Sequence, residues 1–386
     1  MNLDILLIRY IIPGIFGHTT GEKAVVTTIQ AYYSGTRICW GDAGQWMQQL
    51  RPERLMVVSD PYFAQSGLAQ TLAEQSGAKN VEIFSQVAPD PSVELAARAA
   101  AAAKAFGPDA IVALGGGSAM DLAKAMKYFS GSQATLVAVP TTSGSGSEVT
   151  SFAILTHQGI KHPLVDNSLT PQMAIIDPAL VVKLPPALIA DGGFDVLTHA
   201  LEAFTATNAS PITDTLARES FGMTLVELGR SFEGDLSARE RVHSASTLAG
   251  LSFTQAGLGL CHGLAHALGG EFHVPHGRLN AILLPAVMRH NLPAAAEKYA
   301  ILARAAGIEG RSDAMAVRAL VNRLGRLRRE LGLPENLAQA GVSPRQLQDK
   351  LESIAQAAAQ DPCCATNPCP VTIAGAKRVL LEVAGG

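Results

Sequence analysis

The sequence predicts an α/β domain followed by an all-helical domain, and three observations predict it. Up to about residue 187, short apolar runs such as Leu55–Asp60 (LMVVSD) and Ala110–Leu114 alternate with stretches of helical periodicity, the pattern of a sheet with helices on its faces. From Ala187 onward helical periodicity dominates, punctuated at Ser210-Pro211, Gly269-Gly270, Leu292-Pro293 and Leu333-Pro334. At 386 residues the chain is too long for one compact core, so two domains are expected. The expected boundaries are 31–187 and 188–386, with residues 1–30 as an extension ahead of the fold.

Taken in order, the extension (MNLDILLIRYIIPGIFG and onward) is apolar but broken by Asp4, Arg9 and Pro13. It lacks a basic start and a small-residue cleavage site, so it reads as an amphipathic segment rather than a signal peptide. Residues 31–54 read as an edge strand, a turn and a helix. Leu55–Asp60 reads as a buried parallel strand that delivers a carboxylate at its C-terminal end. There Asp60 either holds the ribose hydroxyls of a dinucleotide, repelling a 2′-phosphate, or caps the next helix. A helix over Phe63–Gln75, a strand over Val81–Ser85 and an alanine-rich helix over Val93–Phe106 follow.

The strand Ala110–Leu114 runs into Gly115-Gly116-Gly117-Ser118, a turn that lets a phosphate approach the backbone at a helix N-terminus. Ser118 and Asp121 also fit a variant of the capping box, so helix-start chemistry accounts for part of this signal. After the strand Thr135–Val139 comes Pro140–Thr150 (PTTSGSGSEVT), whose small hydroxyls and glycines suit either a phosphate cradle or a polar linker. Two such loops at successive strand ends favour the ligand reading, because open α/β sheets bind ligands at those ends. Phe152–Thr156 and Ile160–Val165 read as a hairpin turning at His157-Gln158-Gly159, with Lys161 on its second arm within reach of a ribose or phosphate. A last short strand, Ala174–Ile176, closes this half.

The helical half carries the chemistry-bearing cluster, Gly257–Ala281 (GLGLCHGLAHALGGEFHVPHGRLNA). It holds four of the ten histidines in the chain. His262 and His266, four apart, share a helix face. Gly269-Gly270 is expected to break that helix, and Pro275 to hold a loop carrying His276 back. Upstream, Asp195 and His199 repeat the four-residue spacing. Asp195, His199, His262 and His276 supply one carboxylate and three imidazoles, a donor set for a first-row divalent cation that does not by itself separate iron from zinc. Such a cation polarises a carbonyl or lowers the pKa of an alcohol. His266 is not needed to complete the set, and an imidazole there suits a proton shuttle. His273 reads as structural, and Cys261 as a core thiol on another helix face.

Composition excludes several classes. Thirty basic against 33 acidic residues leave a formal charge of −3, with no basic field for nucleic acid. Only 16% of residues are charged and 48% are hydrophobic, which implies a buried subunit interface. No apolar run reaches the roughly 18 residues of a membrane span. Five cysteines, Cys39, Cys261, Cys363, Cys364 and Cys369, lack paired metal-knuckle spacing and read as thiols of a reducing cytosol.

With these residues in view, GGGSAMDLAKA, PTTSGSGSEVT, GFDVLTHALEA, GLGLCHGLAHALGG and VPHGRLNA resemble, in order, the motifs of the iron-containing (group III) alcohol dehydrogenase family. The resemblance runs from about residue 31 to near the end of the chain. It implies a Rossmann-like NAD(H) domain followed by an all-α metal-binding domain, the fold shared with dehydroquinate synthase, and an active site in the cleft. Carried over, Asp195, His199, His262 and His276 are the Fe²⁺ ligands, with Zn²⁺ as the alternative, and His266 is the proton relay near the nicotinamide. Asp60, Gly116, Gly117, Ser118, Asp121, Thr141, Thr142 and Lys161 match cofactor-contact positions.

Two long segments, from Gly159 and from Ser246, most resemble the branch that acts on 1-propanol in propanediol-utilisation microcompartments. This implies a homo-oligomer, dimer or larger, reducing short-chain aldehydes with NADH in the cytoplasm or inside a microcompartment. A shell protein or an aldehyde dehydrogenase is the implied partner. Ethanol dehydrogenases and lactaldehyde reductases of the family are the near alternatives, and a dehydroquinate synthase-like lyase the remote one. Arg278 departs from the small or apolar residue usual at its position, and residues 1–30 have no counterpart.

Overall fold

A computed structural model describes residues 34–157 and 160–385, and these described residues pack as one compact unit. The extension over residues 1–30, the first residues of the expected edge strand and the turn at Gln158-Gly159 lie outside the described residues.

The first half runs β1 (Arg37–Trp40), α1 (Ala43–Met47), β2 (Arg54–Ser59), α2 (Pro61–Gln65), α3 (Leu68–Gln75), β3 (Asn80–Phe84), α4 (Val93–Phe106), β4 (Ala110–Gly115), α5 (Gly117–Ser130), β5 (Thr135–Pro140), β6 (Phe152–His157), β7 (Ile160–Val165) and β8 (Met173–Ile176). Six strands form one parallel sheet in the order β1-β8-β5-β4-β2-β3, and β6 pairs with β7 as the expected antiparallel hairpin. The period of two decides which side each strand residue covers. Met56, Val58, Ile111 and Ala113 pack under α4 and α5, whereas Leu55, Val57, Val112 and Leu114 pack under α1 and α3.

Register brings the ligand-type loops together. Ser59 lies opposite Leu114, and Leu114 opposite Val139. Asp60, the Gly115–Gly117 turn and the loop from Thr141 therefore leave the sheet side by side. β2 and β4 are neighbours although β3 lies between them in sequence, which makes their carboxyl ends a topological switch point.

The second half is helical: α6 (Pro186–Thr205), α7 (Pro211–Phe232), α8 (Leu236–Ala256), α9 (Leu260–Phe272), α10 (His276–Ala305), α11 (Asp313–Glu330), α12 (Pro344–Gln360) and α13 (Ile373–Glu382). Its core draws on every one of these helices.

Four expectations need correction. The single helix over Phe63–Gln75 is two, because Gly67 sits at φ +81, a left-handed conformation that interrupts it. Gly269-Gly270 does not end α9, which continues to Phe272 and is capped by His273 at φ +55. Two glycines cost about 2 kcal/mol relative to alanine. Leu260, Leu264 and Leu268, all fully buried on one face, are worth roughly 1.5–3 kcal/mol each and outweigh that cost.

His276 is not in a loop: Pro275 is the N-cap of α10 and His276 its first residue. Nor does Leu292-Pro293 break a helix, since α10 runs through both Pro285 and Pro293. Pro285 leaves the Ala281 carbonyl without its helical donor. The Arg328 guanidinium replaces it, donating from Nη1 to Ala281 O at 3.3 Å.

Candidate functional site

The site is built from helix faces. Asp195, His199 and Glu202 sit at i, i+4 and i+7 on α6, so their side chains leave the same face. His262 comes from the first turn of α9, and His276 opens α10. Ligand atoms of Asp195, His262 and His276 all lie within 4.8 Å of one another. Asp195 Oδ1 is 3.4 Å from His276 Nε2, 3.6 Å from His262 Nε2 and 3.8 Å from His199 Nδ1. His199 does not join the tightest group; its ring stacks on Phe253 and His262, with centroids 4.3 and 4.4 Å apart. It hydrogen-bonds the Gly144 backbone, while its Nδ1 is buried without a hydrogen-bond partner.

The electrostatics suit a cation. Burial opposes charge on Asp195, but the His199 and His276 rings and the hydrogen-bonded His262 together outweigh it and hold the carboxyl well below the usual range. Burial pushes His199 down to about 3 and His276 well below its ordinary value, which leaves both with free lone pairs at neutral pH. Burial also opposes charge on His262, yet the Asp195 and Glu202 carboxylates raise it to about 9. His262 Nδ1 donates to Glu202 Oε2 at 2.6 Å, so the tautomer is set and Nε2 faces Asp195. Glu202 also accepts from the Gly259 and Cys261 backbone N–H groups at 3.0 and 2.7 Å, anchoring the start of α9.

Asn280 Nδ2 lies 2.8 Å from Asp195 Oδ1, 3.3 Å from His276 Nε2 and 3.5 Å from His262 Nε2. The amide thus faces a carboxylate oxygen and two imidazole nitrogens aimed at a common point. That convergence, together with the orphaned His199 Nδ1, fits a bound divalent cation.

His266 stands beside this centre, its ring stacked on His276 with centroids 5.2 Å apart. Its Nδ1 is 2.9 Å from Asp361 Oδ2. Burial opposes charge on Asp361, but the bond to His266 outweighs it and holds the carboxyl at about 2. A proton on His266 Nδ1 therefore has a fixed acceptor, and Nε2 is the exchanging atom. Cys363 Sγ completes a second close group with His266 and Asp361. Burial pushes the Cys363 thiol well up, and Asp361 is bonded both to His266 and, through Oδ1, to the Cys363 backbone N–H at 2.8 Å. All five cysteines are free, and Cys261 is fully buried, as a core thiol should be.

At the sheet end, Asp60 is the cap of α2 and stands beside the glycine turn. Its Oδ1 caps α2 by accepting from Phe63 N at 3.1 Å, while Oδ2 lies 4.0 Å from where a Cβ on Gly115 would be. Gly116 is the N-cap of α5 with no side chain capping it, so the expected Ser118–Asp121 capping box does not form. Asp121 Oδ1 instead accepts from Ser147 Oγ at 3.0 Å. Thr141 is buried and donates its N–H to Gly115 O, and a Cβ on Gly116 would touch Thr142 Oγ1 at 3.0 Å. The two loops are therefore in contact. Lys161 is paired with Asp90 at 2.7 Å.

The glycines of Pro140–Thr150 do something the sequence did not suggest. A Cβ on Gly144 would lie 3.1 Å from Gly192 Cα on α6, and one on Gly146, at φ +61, 2.8 Å from Gly250 Cα on α8. Ser143 Oγ shares a hydrogen bond of 3.0 Å with His243 Nδ1 of α8. The loop is a wedge whose backbone touches the helices that carry and support the metal centre.

Glu202, Asn280 and Asp361 escaped sequence reasoning. Glu202 was visible as the next position on the Asp195–His199 face. Asn280 is one turn beyond His276, a relation that appears only once His276 is on a helix. Asp361 is 95 residues from His266 and carried no local signal.

A parallel sheet with a glycine turn at its switch point, beside a buried carboxylate–imidazole centre, defines a metal-dependent oxidoreductase of the dinucleotide-linked class. Residues 30–178 match the family model "Iron-containing alcohol dehydrogenase", and residues 189–383 match "Fe-containing alcohol dehydrogenase family, C-terminal". The chain belongs to the iron-containing alcohol dehydrogenase family. It is 41% identical over 349 residues to the 1-propanol dehydrogenase PduQ of Salmonella typhimurium, covering 87% of this chain and 94% of that protein. The iron-containing alcohol dehydrogenase of Thermococcus thioreducens superposes with a TM-score of 0.84 at 31% identity, covering 92% of this chain and 99% of that one. Sulfoacetaldehyde reductase of Bifidobacterium kashiwanohense, solved with NAD+, superposes with a TM-score of 0.82 at 26% identity, covering 93% and 100%.

Proposed function

We propose that this alcohol dehydrogenase interconverts short-chain aliphatic aldehydes and primary alcohols with NAD(H), working mainly to reduce propanal to 1-propanol. The observation that carries the reading is the convergence of Asp195, His262 and His276 on one point beside the His266–Asp361 pair. The substrate rests on the 41% identity to a 1-propanol dehydrogenase. Residues 31–187 form the cofactor domain in this reading, and residues 188–386 the metal-binding catalytic domain.

Asp195, His262 and His276, with His199 Nδ1 beside them, hold Fe²⁺, for which Zn²⁺ competes. When bound, the cation supplies Lewis acidity at the substrate oxygen and the nicotinamide supplies or takes up the hydride. Backbone N–H groups of Gly116, Gly117 and Ser118 receive the pyrophosphate at the start of α5, with Thr141 and Thr142 bordering it. Asp121 and Lys161 flank that loop. Asp60 Oδ2 takes the ribose hydroxyls and turns away a 2′-phosphate. His266 Nε2 gives the proton that the new alcohol needs, and Asp361 holds the ring so that Nε2 faces the reacting oxygen.

Neither Lys161 nor Arg278 is free for the phosphorylated substrate a dehydroquinate synthase-like lyase would need, being paired with Asp90 and Asp191. The exposed Trp40, Tyr62, Tyr128 and Phe129 support a homo-oligomer. Among the described residues no helix is long and apolar enough to cross a membrane. The resemblance to the propanediol-utilisation branch supports a cytoplasmic microcompartment setting, with a shell protein or an aldehyde dehydrogenase as partner.

The test is anaerobic reconstitution with Fe²⁺ or Zn²⁺, followed by NADH oxidation with propanal, ethanal and lactaldehyde. The highest kcat/KM with propanal and Fe²⁺ supports the assignment, and a metal-independent rate overturns it. Asp361→Asn should lower kcat about 100-fold with little change in KM for aldehyde, and displace the pH profile. A wild-type profile would remove Asp361 from the proton path.

A further inference from the structure

We infer that the helical half holds a second ligand site, an arginine-lined cavity between α10 and α11 that binds a small phosphate-type dianion. The cavity has a volume of about 430 Å³ and is walled by Arg289, Arg326, Arg328 and Arg329, with Glu335 and Glu382 as its only acids. None of its lining residues belongs to the metal centre or to the loops at the sheet end.

Charge is what marks it. Arg289 Nε is satisfied by Glu382 at 2.6 Å. Arg328 and Arg329 share Glu335 across 3.9 and 3.7 Å, too far for a hydrogen-bonded pair. Arg326 has no carboxylate partner among the described residues. Four guanidinium groups thus face two carboxylates in a confined space, leaving two positive charges without a counter-charge.

Arg328 is the anchor. It is 8% exposed, its Nη1 is spent on Ala281 O, and its Nε is buried with no partner. Burial, with Arg329 and Arg289 nearby, lowers its pKa from the ordinary arginine value, so the site disfavours its own charge until an anion arrives. Its Nη2 lies 3.9 Å from Glu335, beyond hydrogen-bond reach, and a phosphate dianion in the cavity supplies the acceptor this buried guanidinium lacks. Planar guanidinium forks match phosphate oxygens two at a time, which a single carboxylate matches less completely. The volume admits a phosphate with a small organic tail. Free phosphate and a phosphorylated metabolite share this chemistry.

Calorimetry on the full chain, loaded with metal and saturated with NADH so that the glycine turn is occupied, tests the site. Inorganic phosphate and glycerol 3-phosphate are titrated separately at constant ionic strength. One saturable site per chain is expected for at least one of them, and the tighter of the two identifies the source. Arg326→Glu with Arg329→Glu should weaken that binding at least about tenfold while leaving aldehyde turnover unchanged. Should the double variant fold poorly, Arg326→Gln, at an exposed position, should weaken binding about threefold. Absence of saturable binding for both ligands, or wild-type affinity in a folded variant, overturns the proposal.

Discussion

The two ends of the proposed site are made of different material. At the sheet end the shape is set by backbone: the Gly115–Gly117 turn, the start of α5, and the glycines of the Pro140–Thr150 loop packed on α6 and α8. At the helical end they are side chains on three helices, each oriented by another side chain, as Glu202 orients His262 and Asp361 orients His266. A backbone site fails when an atom is added, because there is nowhere for a Cβ to go. A side-chain site fails when a supporting bond is taken away. The two ends should therefore respond to opposite kinds of substitution.

The largest effect belongs to the backbone end. Gly146→Ala adds a Cβ against Gly250 Cα, and the wedge cannot yield without moving α8. Overpacking and left-handed strain together should cost roughly 3 kcal/mol, read as a lower Tm, with weakened NADH binding. A Tm within a degree of wild type would show that the loop does not depend on that approach.

His243 ties this loop to the helices by a side chain, and burial takes it from the ordinary 6.5 to about 4. Below pH 6.5 the unfolded chain takes up a proton that the folded one refuses until about pH 4. Stability from this residue is therefore intact above 6.5 and falls by about 3 kcal/mol between 6.5 and 4, at about 1.4 kcal/mol per pH unit. Denaturant melts of His243→Asn across that range should lose this slope, and an undiminished slope would assign the acid lability to other groups.

At the side-chain end, Glu202→Ala strands His262 Nδ1 and two backbone N–H groups. Affinity for Fe²⁺ or Zn²⁺ should fall by about 10- to 100-fold in a competitive chelator titration. Wild-type affinity would mean that Glu202 serves folding alone. The smallest change sits where the ends meet: Asp60→Gly should raise kcat/KM for NADPH about tenfold relative to NADH. It should also cost about 0.3 kcal/mol through the lost α2 cap, since Oδ1 accepts from Phe63 N and glycine is itself a tolerated N-cap. An unchanged preference would leave only the cap.

Where local chemistry agreed with the tertiary structure, the sequence was read to the residue. The helix over Val93–Phe106 has its Ser92 cap, an alanine body and a left-handed Gly107, and nothing distant contradicts them. The Asp195–His199 and His262–His266 spacings were legible because a helix turns intramolecular distance into sequence distance. His276 was assigned to a loop because Pro275 and the paired glycines are strong local breakers, while the packing that overrides them lies elsewhere in the chain. That error hid Asn280. Asp361 could not be seen, since it approaches His266 across 95 residues of intervening chain. The wedge glycines looked like a phosphate cradle because small residues that admit a ligand and those that admit another backbone are the same residues.

The contact of Gly144 and Gly146 with α6 and α8 bears on how the enzyme turns over. Backbone touching backbone leaves no lubricating layer of side chains, so the loop and these two helices have no slack along this line. Mutations that quicken product release should accordingly spare this joint.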